Sequence, residues 1–269
     1  MDIRSEETGG APTQPFADSQ ALPSRVARLE ERKKAQPWYT TAFVLIAAVT
    51  ALAGGLRLWH LSFPHSYVFD EVYYAKDGCY DAGYDWRKCH LKNPGEQTVT
   101  VHPPLGREII AVSERLFGND SFGWRFASAV FGTLSVLLIA VLALKMFESA
   151  AWAAVAGLLL ATENLNLVQS RISMLDIFLV TFVLGGFTFL VLDRRWIERR
   201  TPPARPRTEE EAFLVGMPPD RPPSPIMRPW RLAAGLMFGA AAATKWSGFP
   251  AMICGIANTP GDAAPNTTW

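Results

Sequence analysis

The chain of 269 residues carries 26 Lys and Arg against 25 Asp and Glu, a formal net charge of +1, and 49% of its residues are hydrophobic. That balance excludes nucleic acid as the main partner, because phosphate binding draws on a clustered excess of Lys and Arg, and three cysteines are too few for a disulfide scaffold. The bulk composition is globular, but the charges crowd into the N-terminal segment, a central loop and residues 193–231, leaving almost purely apolar windows between them.

Residues 1–37 are polar, hold no apolar period and read as a disordered cytoplasmic N-terminus; no apolar core follows early enough for a secretory signal. Arg25, Arg28, Arg32, Lys33 and Lys34 precede the first apolar run and keep this end cytoplasmic by the positive-inside rule. Residues 38–59 are predicted as transmembrane helix 1, long enough to cross a ~30 Å hydrocarbon layer at 1.5 Å per residue, with Arg57 snorkelling from its far end. Residues 60–124 then form an extracytoplasmic loop too long for a simple connector. Within it Leu105, Ile109, Val112 and Leu116 recur at helical spacing among Arg107, Glu108, Glu114 and Arg115, which predicts an amphipathic helix in the interface plane.

Residues 125–192 hold transmembrane helices 2 to 4: an uncharged span from Phe126 to Leu144, a shorter run from Ala150 to Val168, and a third from Ile177 to Leu192. A tight outer turn with Arg171 and Asp176 joins the last two. Ionisable groups at this depth face a bundle interior or an aqueous cavity, or else serve as interfacial end charges, and both readings stay open for Glu163. Residues 193–231, rich in Arg and Pro, form a cytoplasmic linker. Residues 232–257 are the helix 5 region, a small-residue run suited to close packing and interrupted at Lys245-Trp246-Ser247-Gly248; residues 258–269 are a polar tail that reads as a truncated end. The fold class is all-α, a polytopic transmembrane helical bundle with a long first loop.

The chemistry concentrates between Tyr67 and Leu105. Asp70 and Glu71 stand side by side in an aromatic frame just after a membrane helix, where a carboxylate can act as general base on a hydroxyl or hold a metal; most acidic pairs in loops are simply solvated. His102 before two prolines is, as a bare pattern, more often a loop residue than a ligand. Cys79 and Cys89 share the loop and would pair in an oxidising compartment. Two separate thiols are the alternative, since spacing does not supply the Cα separation the bond requires.

Three stretches in this order, Phe69-Asp70-Glu71-Val72-Tyr73-Tyr74-Ala75-Lys76, Val101-His102-Pro103-Pro104-Leu105-Gly106-Arg107 and Phe122-Gly123-Trp124-Arg125-Phe126, resemble the N-terminal part of the protein O-mannosyltransferases. Ser170-Arg171-Ile172-Ser173-Met174-Leu175-Asp176 and Thr244-Lys245-Trp246-Ser247-Gly248 resemble later signatures of that family, in its actinobacterial form. The resemblance implies an inverting glycosyltransferase of the cell membrane, of the lipid-phosphate-sugar type, moving mannose from polyprenyl-phosphate-mannose to Ser and Thr hydroxyls of proteins crossing the membrane, with the secretion translocon as a candidate partner. Asp70 matches the catalytic base and Glu71 its supporting neighbour. Arg125 matches a contact to the lipid phosphate, for which a planar guanidinium is suited; His102 belongs to a donor-side signature; Arg171, Asp176 and Lys245 are further candidates. No cofactor is required, though a divalent cation between Asp70 and Glu71 is compatible with the pattern. The family continues for several more helices, so this chain corresponds to its N-terminal portion. A lipid-sugar transferase acting on a glycan or lipid, and a non-catalytic membrane fragment, are the competing readings.

Overall fold

The computed structural model describes residues 37–94, 101–200 and 228–257. The predicted N-terminal segment, most of the Pro- and Arg-rich linker and the polar tail lie outside the described residues. The chain divides into a unit of Met1–Thr40 and one of Thr41–Trp269; of the first, only the opening turn of helix α1 is described.

Every regular element among the described residues is helical. Helices α1 (Pro37–Leu58), α2 (Glu71–Asp81), α3 (Leu105–Phe117), α4 (Ser121–Phe147), α5 (Ala150–Thr162), α6 (Asn164–Gln169), α7 (Leu175–Arg200), α8 (Pro229–Thr244) and α9 (Gly248–Ala257) follow in that order. Three of them, α1, α4 and α7, are long and apolar enough to cross a membrane. Helix α5 has 13 residues, about 20 Å at 1.5 Å per residue, so the predicted run from Ala150 to Val168 is not one helix. It breaks at Glu163, whose exposed carboxylate accepts the amide N–H groups of Leu165 and Asn166 and caps α6. Of the two readings left open for Glu163, the structure has the helix-end charge.

Helix α4 packs between α5 and α7, and α8 lies along α7. Gly185 and Gly186 make the second contact close: a Cβ on Gly186 would meet the Phe238 ring at 2.6 Å, and one on Gly185 would meet Met237 at 3.1 Å. The ends of α7 and α8 are tied by a buried ion pair between Asp193 and Arg228. The helix 5 region breaks where the sequence interrupts it, into α8 and α9, with Lys245 extended at the break.

Arg57 does not snorkel. It is fully buried, and donates to the carbonyls of Ala53 and Ala161 and, at 2.6 Å, to the Asn166 side chain. A charge surrounded by such dipoles is held in the bundle at far lower cost than a bare one. Gly132 of α4 makes room for it, since a Cβ there would lie 2.9 Å from the Arg57 Nε and 2.2 Å from Ser170.

At the end of the bundle where α1 stops and α4 starts, α2 packs on α3 and α3 on α4. Tyr74, Ala75, Ile110, Trp124, Leu175, Ile177 and Phe178 form the core there. A disulfide joins Cys79 of α2 to Cys89, packed with Leu91 against Tyr80, Tyr84 and Trp86. Helix α3 turns Gly106, Ile110, Ala111, Ser113 and Glu114 inward. Val112 and Leu116, from the apolar stripe seen in the sequence, face outward and are exposed, the disposition of a helix with protein on one side and an apolar medium on the other.

Glu114 is fully buried, and neither of its carboxylate oxygens has a hydrogen-bond partner among the described residues. Burial first, and the charge of Asp120 second, raise its pKa from 4.5 to about 9. The folded state therefore binds this proton more tightly than the unfolded state. Its contribution to stability is complete below pH 4.5 and is lost as pH rises towards 9. The substitution Glu114→Gln, which keeps the shape without the titration, is expected to flatten that decline; unfolding followed from pH 5 to 9 in both proteins checks it.

Candidate active site

The turn before α2 sets the geometry. The amide of Glu71 donates to the Val68 carbonyl, and the Glu71 side chain reaches back to accept the Val68 amide at 2.8 Å. Phe69, with φ 52°, and Asp70, with φ −74° and ψ −1°, occupy the two central positions. A positive φ at the first of these positions is the left-handed region that favours glycine. Asp70 is thus the N-cap of α2 with a helical rather than extended backbone, and its carboxylate makes no cap bond. Its carbonyl accepts the Tyr73 and Tyr74 amides. An aspartate at this position ordinarily gives its side chain to the first-turn amides; this one is half-buried and, among the described residues, no donor reaches it.

Glu71 is the opposite case. It is fully buried, and its two oxygens accept four hydrogen bonds: Arg125 Nε at 2.7 Å and the Ser173 amide at 3.0 Å on Oε1, Arg125 Nη2 at 2.8 Å and the Val68 amide on Oε2. Four is roughly the acceptor capacity of a carboxylate. Glu71 is therefore a positioning residue beneath Asp70. These four donors occupy the Glu71 oxygens that a cation bridging to Asp70 would use.

Arg125 is equally engaged. Besides Glu71, its Nη1 donates to the carbonyls of Leu61 and Pro64 and its Nη2 to that of Ser66. All five guanidinium donors are engaged and the side chain has no exposure. The fork that would suit a phosphate instead closes the loop between α1 and α2 over α4, and Arg125 has nothing left to offer a lipid phosphate. Arg171 also serves the fold, donating to the carbonyls of Leu56 and Trp59 and satisfying the last turn of α1.

The remaining predicted residues come together. Asp176, in the first turn of α7, pairs with Lys245 at the break between α8 and α9, Nζ to Oδ1 2.7 Å, both about a quarter exposed. Tyr74, one helical turn after Asp70, lies between: burial first, then the negative charges of Asp70 and Asp176, push its phenol up to about 12. The His102 ring is 6.4 Å from the Tyr74 ring and its buried Nδ1 has no partner. The Trp246 indole donates to the carbonyl of Val101 at 2.6 Å, tying the Lys245 segment to the His102 segment. Tyr74 and Arg57 were not singled out as functional by the sequence; the spacing of Tyr74 four residues after Asp70 was the available signal.

Among the described residues, the arrangement offers near Tyr74 a carboxylate that no donor reaches, on Asp70, and a part-exposed ammonium on Lys245 that is bonded to Asp176. A carboxylate can act as a base and an ammonium can stabilise an anion, and the Tyr74 phenol and the His102 imidazole are neighbours.

Comparison with known proteins gives a family match over residues 47–207, to the dolichyl-phosphate-mannose-protein mannosyltransferases. A polyprenol-phosphate-mannose–protein mannosyltransferase of Mycolicibacterium smegmatis is 37% identical over 224 residues, 80% of this chain and 39% of the relative. One from Mycobacterium tuberculosis is 34% identical over 216 residues, 78% of this chain and 38% of the relative. The human protein O-mannosyl-transferase 1 is 32% identical over 166 residues, covering 55% of this chain and 21% of its own length. The chain thus spans about two fifths of the length of the bacterial relatives.

The Glu71–Arg125 arrangement makes a definite prediction. Arg125→Lys, which keeps the charge and loses the fork, is expected to lower thermal stability, by about 3 kcal/mol or more, because it leaves a buried carboxylate and loop carbonyls without partners. A phosphate-contacting arginine would instead raise the KM for a phosphate-bearing substrate at unchanged melting temperature, so melting curves and kinetics of the one variant separate the two roles.

Proposed function

Because this chain belongs to the dolichyl-phosphate-mannose-protein mannosyltransferase family, we propose that it transfers mannose from polyprenyl-phosphate-mannose to Ser and Thr hydroxyls of proteins. The observation that carries this reading is the division of labour at the acidic pair: Glu71 is saturated and buried, while the Asp70 carboxylate is left open. Asp70 takes the proton of the acceptor hydroxyl as its oxygen attacks the anomeric carbon. The C1–O bond to phosphate breaks on the far side, its electron pair leaves with polyprenyl phosphate, and the anomeric centre inverts. Lys245, aligned by Asp176, replaces Arg125 as the cation that meets the phosphate. Tyr74 stays a neutral phenol, a donor for sugar or phosphate oxygen, and His102 beside it is a second donor-side group. This scheme calls on no metal, so transfer is expected to persist in EDTA.

The finer placement rests on the same reading. The chain is a multi-pass protein of the cell membrane, its N-terminus cytoplasmic and its first loop extracytoplasmic. The Cys79–Cys89 disulfide supports that side, since such bonds persist in oxidising compartments. Acceptor segments would meet Asp70 as they emerge from the secretion translocon.

The test is transfer of labelled mannose from polyprenyl-phosphate-mannose to a Ser/Thr-rich peptide in membranes that hold this chain and no other enzyme of the family. Asp70→Asn is expected to lower turnover by about 10²–10⁴-fold, the usual contribution of a general base, and Lys245→Ala to weaken use of the donor. Turnover unchanged in Asp70→Asn removes Asp70 from the mechanism.

A further inference from the structure

The residue next to the proposed base carries a ring that nothing inside the fold uses. Phe69 holds φ 52°, in the left-handed region where a bulky side chain is strained. Its ring is 74% exposed. It enters no apolar cluster and pairs with no other ring among the described residues. The turn is closed by Glu71 on both sides of Val68 and would be made more easily by glycine. A bulky ring kept in a strained, solvent-facing position beside a reactive group points to an interaction outside the chain.

The surroundings of Asp70 say which. Tyr74, four residues on, is only 7% exposed, and Asp176 and Lys245 are the end assigned to the phosphate. Phe69 is the exposed neighbour of Asp70 in the chain, within reach of an acceptor that brings its oxygen to Asp70. We propose that Phe69 is a specificity-determining residue for the acceptor: an extended segment of polypeptide lays an apolar or Pro side chain across the ring and so brings its Ser or Thr hydroxyl to Asp70. Aromatic rings offer large contact area with few rotors to order, which suits a site that takes many sequences. This deepens the reading of the chain as a protein mannosyltransferase and rests on it.

The test measures peptide binding apart from chemistry. A fluorescent Ser/Thr/Pro-rich peptide is titrated by anisotropy against the full chain in lipid nanodiscs, as wild type, Asp70→Asn, Phe69→Gly and Phe69→Tyr, with melting temperatures taken in parallel. Phe69→Gly is expected to melt at the same temperature or higher, since it relieves the turn, and to bind peptide roughly tenfold more weakly; Phe69→Tyr is expected to restore binding. A ring with only a structural role would give the reverse, a lower melting temperature with affinity following it, and would overturn the proposal. So would equal affinity in wild type and Phe69→Gly, with the ring affecting only partition onto empty vesicles, which would make it a lipid anchor, and so would the absence of any peptide binding by wild type. Wild type that binds peptide through Phe69 but transfers no mannose would overturn the transferase reading alone and leave the acceptor contact standing.

Discussion

The ion pair between Glu71 and Arg125 is the constraint on which the candidate site depends. Both side chains are removed from water, and such a burial is tolerable only when every remaining donor and acceptor is matched. Here the matching groups come from several parts of the chain: Leu61, Pro64 and Ser66 from the loop after α1, Val68 from the turn, Ser173 from the entry to α7. One pair therefore fixes the relative positions of α2, α4, α7 and the intervening loop. Asp70 inherits its place from that network without contributing to it, and its carboxylate makes no cap bond.

A second polar clamp sits deeper. Arg57 joins α1 to α5 and α6 through Ala161 and Asn166, and Arg171 returns from beyond α6 to the last carbonyls of α1. Helices in an apolar medium gain little from hydrophobic contact with one another, so small residues and buried polar bonds set their packing. Gly132 against Arg57 and Ser170, and Gly186 against Phe238, show the two devices together. The end of α1 is held by two arginines, and the loop that carries Asp70 starts from that held end.

Much of this was legible in the sequence. The long apolar windows gave α1, α4 and α7, and helical spacing gave α3, because periodicity and length report directly on burial in an apolar medium. The family's motifs brought Asp70, His102, Asp176 and Lys245 together, and the structure gathers them around Tyr74. What the sequence could not show was the direction in which a charge points. Arg57 at a helix end reads as a snorkelling residue until Asn166, more than a hundred positions away, supplies a partner. Arg125 reads as a phosphate ligand until its donors are found to be engaged by loop carbonyls, groups that every sequence carries and no motif records. What the apolar stripe of α3 did not show was the face that meets protein, which is built on Gly106, Ile110, Ala111, Ser113 and Glu114.

Adjacent residues of the same charge have opposite fates here, and the backbone decides between them. Within a helix, residues one apart do not share a face, so the first residue of α2 can point into the bundle while its predecessor points away. A turn with a positive φ at Phe69 sharpens that separation: it swings Val68 back to within reach of Glu71, leaves Asp70 with a helical backbone that does not aim its carboxylate at the first-turn amides, and sets an aromatic ring outside. A relaxed turn would let Asp70 cap the helix in the ordinary way, stabilising α2 and occupying the base. The strain at Phe69, of order 1–3 kcal/mol for such a position, is thus the structural cost of an aspartate that stands at a helix N-terminus and stays unbonded.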